Sequence, residues 1–160
     1  MNRIEFTPIG TIHTPFTELV GMPIQPGGGE GIEGTVELFP EFQEGLKDLD
    51  GFSHIILLYY LHLSQGYSLT VTPFLDDQKR GLFATRAPKR PNQIGLSVVR
   101  LTEVSENILT ICDVDMIDGT PLLDIKPYVP EMQPSADVRT GWLSGVNAGR
   151  INRKKADHRF

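Results

Sequence analysis

The residues best placed to do chemistry lie at 81–95, GLFATRAPKRPNQIG. Arg86, Lys89 and Arg90 follow the apolar run Leu82-Phe83-Ala84 and are bracketed by Pro88 and Pro91. Each proline fixes its own φ and restricts the residue before it. The chemistry on offer is anion capture. A guanidinium on a stiff loop can grip phosphate or carboxylate at two points with little conformational freedom left to lose.

Other candidates are more ambiguous. The run 115–121, DMIDGTP, sets Asp115 and Asp118 at the end of a strand before a Gly-Thr-Pro turn. Such a turn leaves backbone amides and carbonyls free for a ligand, and it is equally an ordinary turn. Asp124 and Lys126 alternate onto one strand face and can pair structurally. His62 closes the most apolar strand, where a barrel exposes functional groups, and is a better candidate than His13. Cys112 falls inside the alternation 108–114 and reads as a core thiol. No nucleophile stands beside a base, and the scattered histidines and lone cysteine lack zinc spacing. That pattern favours an activated cofactor, or simple binding, over hydrolysis by the protein's own groups.

Charge is segregated. The chain has 160 residues and a net charge of -5, yet ten of its fifteen Lys and Arg fall within 79–90 and 150–160. The remainder holds five cations against nineteen acids. Two basic patches on an acidic body are the footprint expected for a polyanion partner, or a solvated face with a basic tail.

These residues must be positioned by a framework of strands. The length suits one domain with a real core. No apolar run is long enough to span a membrane, and the N-terminus lacks a signal-like core, so a cytoplasmic protein is expected. Period-two and β-branched patterns predict strands at 5–13, 34–39, 53–62, 68–72, 81–86, 95–104, 107–115 and 122–128. Residues 55–61 are apolar on both faces and should lie centrally, and Glu106-Asn107 should form a tight hairpin. Residues 40–49 carry helical spacing after a proline start. The expectation is an all-β chain: a single β-barrel of about seven or eight mostly antiparallel strands, with one short helix and long loops. It should occupy 1–132, with a basic C-terminal extension at 133–160. The glycine-rich stretch 26–34 is followed by a strand rather than a helix, so a Rossmann or P-loop site fits poorly. It reads as a surface loop or one that folds over a small ligand.

Four blocks in order, PIGTIHTPF (8–16), GFSHIILLYYLH (51–62), GLFATRAPKRPNQIGLS (81–97) and DMIDGTPLLDIKPYVP (115–130), closely resemble the TsaA-like, or TrmO, family of tRNA (adenine-N6)-methyltransferases. The resemblance covers residues 4–130. It implies a homodimeric β-barrel that uses S-adenosyl-L-methionine (SAM) to methylate N6 of the threonylcarbamoyladenosine next to the anticodon of tRNA. Carried over motif by motif, it implies a SAM site made by Gln25, Pro26, Gly27, His62, Leu63, Arg86, Leu96, Asp118, Gly119, Thr120 and Pro121. Arg86 can pair with the cofactor's carboxylate. Asp118 is the candidate acceptor of the N6 proton and Asn92 the candidate for orienting the base. Lys89, Arg90, Arg153, Lys154 and Lys155 are the candidate RNA-binding cations.

Two departures qualify the likeness. Many bacterial members carry a further domain after the barrel, whereas here 133–160 follows, so the expectation is either that the basic tail takes over some of its RNA contact or that the RNA preference differs. Gln93 stands where bacterial relatives have a second proline, which loosens the loop. Two other functions fit the same residues: a non-catalytic barrel that binds tRNA or another anion, and a SAM-dependent methyltransferase of a small metabolite. Binding of SAM excludes the first, and salt-sensitive binding of tRNA the second.

Overall fold

The computed structural model describes residues 2–134 and 136–159. Positions 1, 135 and 160, the outer ends of the expected barrel and extension and one site within the extension, lie outside the described residues. Eight strands form: β1 (Gly10–His13), β2 (Glu33–Leu38), β3 (His54–Tyr60), β4 (Thr70–Val71), β5 (Arg80–Gly81), β6 (Ile94–Ser105), β7 (Ile108–Cys112) and β8 (Thr120–Pro127). Six of them close a barrel in the order β1-β2-β7-β6-β3-β8, with every pairing antiparallel.

The barrel is therefore smaller than the seven or eight strands expected. β4 and β5 make a separate two-stranded ladder. The apolar run at 82–84 is the cause. Leu82–Ala84 turns into a 3-10 helix, burying Leu82 and leaving Phe83 and Ala84 outside. Residues 40–49 also coil more tightly than an α-helix. Pro40–Leu46 is 3-10 and ends before Asp48, whose φ of 66° breaks the run, and a second turn forms at Leu49–Gly51.

Alternation decides which side chains enter the barrel. On β3, Ile55, Leu57 and Tyr59 point inward, and on β6 Val99 and Leu101 do the same. They join Ile12, Val36, Leu109, Ile111 and Leu122 in one core. Cys112 is a buried free thiol. β3 pairs with β6 on one side and β8 on the other, but every strand of a closed barrel has two such neighbours, so the expected central place does not arise, and alternate residues of β3 are the ones fully buried. Glu106 and Asn107 form the two-residue β6–β7 connection, with Glu106 at φ 54°. Lys126 Nζ lies 2.7 Å from Asp124 Oδ2, the anticipated structural pair.

The extension does not run free. Asn147 accepts from the Arg150 amide and caps helix α1 (Ala148–Arg153), too short for its periodicity to show in sequence. α1 packs on the 3-10 turn Pro26–Gly29. A Cβ on Gly27 or Gly28 would collide with Asn152, so these glycines are sites of close approach. Beyond the helix, Ala156 joins Met22 and Ile117 in a second small core. Among the described residues, no helix is long and apolar enough to cross a membrane.

Candidate functional site

A cavity of about 810 Å³ opens at one end of the barrel. Among the described residues, six parts of the chain enclose it. The barrel contributes Tyr59, Gly95 and Thr120, together with Asp115 in the β7–β8 connection; the rest of the wall comes from segments around 19–26, 61–64, 71–75 and 83–90 and from the C-terminal extension. Its size and mostly apolar lining with a few convergent polar groups suit a small organic ligand.

The cationic loop forms one side. Thr85 Oγ1 donates to Leu82 O at 2.8 Å, and Arg90 Nη1 donates to Thr85 O at 3.0 Å and to Ala87 O at 3.2 Å. Arg90 also lies 5.7 Å from the Phe83 ring centroid. The loop is therefore clasped by its own arginine as well as by its prolines. Trp142 anchors it from outside: its Nε1 donates to Ala84 O at 2.8 Å while Arg80 sits over its ring. Arg86, in contrast, borders the cavity with no hydrogen bond or ion pair to a described residue. Its charge acts at a distance on Asp115 and Tyr59.

The opposite wall holds a buried polar chain. Tyr59 OH and Ser97 Oγ are 2.9 Å apart, and Ser97 Oγ donates to Asp115 Oδ1 at 2.6 Å. Gly95 makes this reach possible, because the Tyr59 ring lies across it where any Cβ would collide. Burial pushes the Asp115 carboxyl up to about 7, against the hydrogen bond from Ser97 and the charge of Arg86. Burial, then the neighbouring Asp115, drives the Tyr59 phenol far above its ordinary range, so it stays neutral. His62 Nδ1 and Ser64 Oγ are buried with no partner among the described residues. Buried polar atoms without partners are uncommon, and here two fall in one cavity wall.

Of the residues singled out in the sequence, the cavity wall brings together Gln25, Pro26, His62, Leu63, Arg86, Lys89, Arg90, Leu96 and Thr120. Gly27 sits behind it against Asn152. Gly119 and Pro121 flank Thr120 outside the lining, and Asn92 is exposed beyond the loop. Asp118 faces away: its Oδ1 accepts from the Thr14 amide at 3.1 Å and lies 3.3 Å from His13 Nδ1. Arg153, Lys154 and Lys155 also lie off the cavity. Lys155 Nζ donates to Gly28 O at 3.0 Å, Lys154 lies 4.0 Å from Asp157, and Arg153 is exposed. Asp115 is the functional candidate that the motif reading passed over, because Asp118 beside the glycine drew the role. Strand alternation is no guide to it, since β7 ends at Cys112 and Asp113 breaks the extended backbone with φ 70°.

Among the described residues, no group of three or more His, Cys, Asp or Glu is placed to hold a metal ion. A closed antiparallel barrel with a cation-flanked cavity at its end defines a small-ligand-binding barrel, distinct from the parallel sheets of Rossmann enzymes. Comparison with known proteins narrows this class. The model of the tRNA-methyltransferase O N-terminal domain matches residues 11–133. A Pyrococcus abyssi protein called a probable S-adenosyl-L-methionine-binding protein is 56% identical over 155 residues, covering 97% of this chain and 84% of its own. The tRNA (adenine(37)-N6)-methyltransferase of Escherichia coli K12 is 33% identical over 161 residues, covering 94% of this chain and 68% of its own. The crystal structure of TrmO from Pseudomonas aeruginosa superposes with a TM-score of 0.74 at 40% identity and covers 88% of this chain. This chain belongs to the tRNA-methyltransferase O family. It spans 63% of the length of that solved Pseudomonas protein.

Proposed function

We propose that the protein is a cytoplasmic SAM-dependent tRNA methyltransferase that modifies N6 of threonylcarbamoyladenosine beside the anticodon. The observation that carries this reading is the cavity itself, whose wall holds Arg86, His62 Nδ1 and Ser64 Oγ, all without a hydrogen-bond partner among the described residues. These groups fit the cofactor. Arg86 can pair with its carboxylate, the unsatisfied His62 Nδ1 and Ser64 Oγ can meet its polar atoms, and the apolar wall can cover its adenosine. When bound, SAM supplies an electrophilic methyl group on a sulfonium.

The chain's own contribution is then placement. Gln25 and Pro26 close one side, with Gly27 giving α1 its close approach behind them. Thr120 Oγ1 donates to Ile117 O at 2.7 Å and fixes the turn through which Asp118, Gly119 and Pro121 shape the site. Asp118 serves this reading by tying that turn to Thr14 rather than by accepting the N6 proton. Asn92, exposed at the rim, is free to orient the base, and Lys89, with no ion pair of its own, to meet phosphate. Arg90 stiffens the loop, and of Arg153, Lys154 and Lys155 it is Arg153 that is exposed without a partner among the described residues and left for RNA. A homodimer is supported by the outward face of β3 and β6. There Ile56 pairs with Val98, Leu58 with Leu96 and Tyr60 with Ile94, and Tyr60, Ile94 and Leu96 are each more than 40% exposed. Sedimentation at micromolar concentration would show a two-chain species.

Calorimetric titration of the full chain with SAM tests the site. Arg86→Ala should weaken binding by roughly 10²-fold, as expected for a charge-assisted pair in a half-closed cavity. Undiminished affinity in a folded variant would remove Arg86 from the cofactor site.

A further inference from the structure

We propose that Asp115, held by Ser97, is the residue through which the cavity prefers a sulfonium cofactor to its neutral thioether product, S-adenosylhomocysteine. The inference rests on the cofactor reading above. Its basis is the charge inventory of the wall. Arg86, Lys89, Arg90 and Arg159 all line the cavity, and Asp115 is the one acid among the described residues that do. A ligand that carries a fixed positive charge enters a space already bordered by cations. Arg90 spends its charge on carbonyls and Arg159 on Asp157, but Arg86 and Lys89 make no such pair. Among the described residues of the wall, Asp115 is the one side chain that can offset a ligand cation with a negative charge of its own.

The carboxylate is built in rather than incidental. It is buried, it is fixed by the 2.6 Å bond from Ser97, and Ser97 is fixed in turn by Tyr59. Tyr59 comes from β3, Ser97 from β6 and Arg86 from the cationic loop, while His62, Lys89, Arg90 and Arg159 are the other titratable groups among the described residues of the wall. Because burial raises Asp115 to about 7, the empty site holds it partly protonated near neutrality. A sulfonium in the cavity favours the ionised form, so binding of SAM expels a proton. The thioether has no such charge and gives no such drive. The same residue therefore helps to take up the methyl donor and to let the spent product go.

The test titrates the full chain with SAM and with S-adenosylhomocysteine at about pH 6 and about pH 8. The two ligands share their carboxyl and adenosine groups and differ in the charge at sulfur, so it is the Asp115 substitution that separates this residue from other pH-dependent charges near the ligand. SAM should bind about tenfold more weakly at the lower pH, the loss expected on crossing one carboxyl pKa, while the thioether changes by less than about threefold. Asp115→Asn should erase this difference and weaken SAM selectively. Ser97→Ala, which removes the bond that favours the ionised form, should move the midpoint of SAM affinity to higher pH, and it serves if the first variant does not fold. If both ligands respond alike to pH and to the substitutions, the role of Asp115 is overturned while the cofactor site stands. If the folded wild-type chain binds neither ligand, the cofactor reading and this inference fall together.

Discussion

Asp115 is a buried acid whose surroundings disfavour its ionised form. Its carboxyl is buried and titrates near 7, against an ordinary value of roughly 4. A pKa raised on folding means that the native state binds more protons than the unfolded chain between those two values. The associated stability is complete below the unfolded pKa and is lost as pH rises through about 7. Asparagine imitates the protonated acid and can still accept from Ser97. In ligand-free protein, Asp115→Asn should gain on the wild type by about 2–3 kcal/mol between about pH 5 and about pH 8, a window set by the two pKa values. Denaturant unfolding at the two pH values measures it. A gap that stays constant or narrows would mean that Asp115 is ionised throughout. The residue was visible in sequence only as one of two acids at a turn. Its importance comes from depth and from Ser97, eighteen positions away, and neither leaves a local signal.

At the level of elements, strands were legible where alternation and β-branching were strong. β3 and β6 follow the expected ranges within a few residues, and the Glu106-Asn107 hairpin needed only its polar pair between apolar runs. Legibility failed where an apolar run is short. Leu82-Phe83-Ala84 reads as strand, but Leu82 alone finds the interior and the run coils instead. The 40–49 segment reads as an α-helix because 3-10 and α spacings differ little over two turns. The close pairing of Tyr59 with Gly95 gives an element-scale prediction. Gly95→Ala should force the Tyr59 ring off its strand, break its bond to Ser97 and cost about 1–3 kcal/mol, as overpacking does. An unfolding midpoint within about 0.5 kcal/mol of the wild type would show that the ring can move aside at little cost, contrary to the packing described.

Across the whole molecule, the two basic segments met different fates. The loop at 79–90 keeps Arg86 and Lys89 available, whereas much of the tail's charge is spent inside the fold on Gly28 and Asp157. That division was not legible from charge counts, because it depends on α1 folding back over the Pro26–Gly29 turn. The result is one cavity for a small charged ligand with cations and apolar surface around its mouth. The proposed function is transfer of a methyl group by this arrangement to a tRNA base. Mass spectrometry of nucleosides, after incubation of the protein with isotope-labelled SAM and tRNA bearing threonylcarbamoyladenosine, tests it. One labelled methyl is expected on N6 of that nucleoside, and far less label when the tRNA lacks the threonylcarbamoyl group. Protein that binds SAM yet leaves every tRNA nucleoside unlabelled would contradict it.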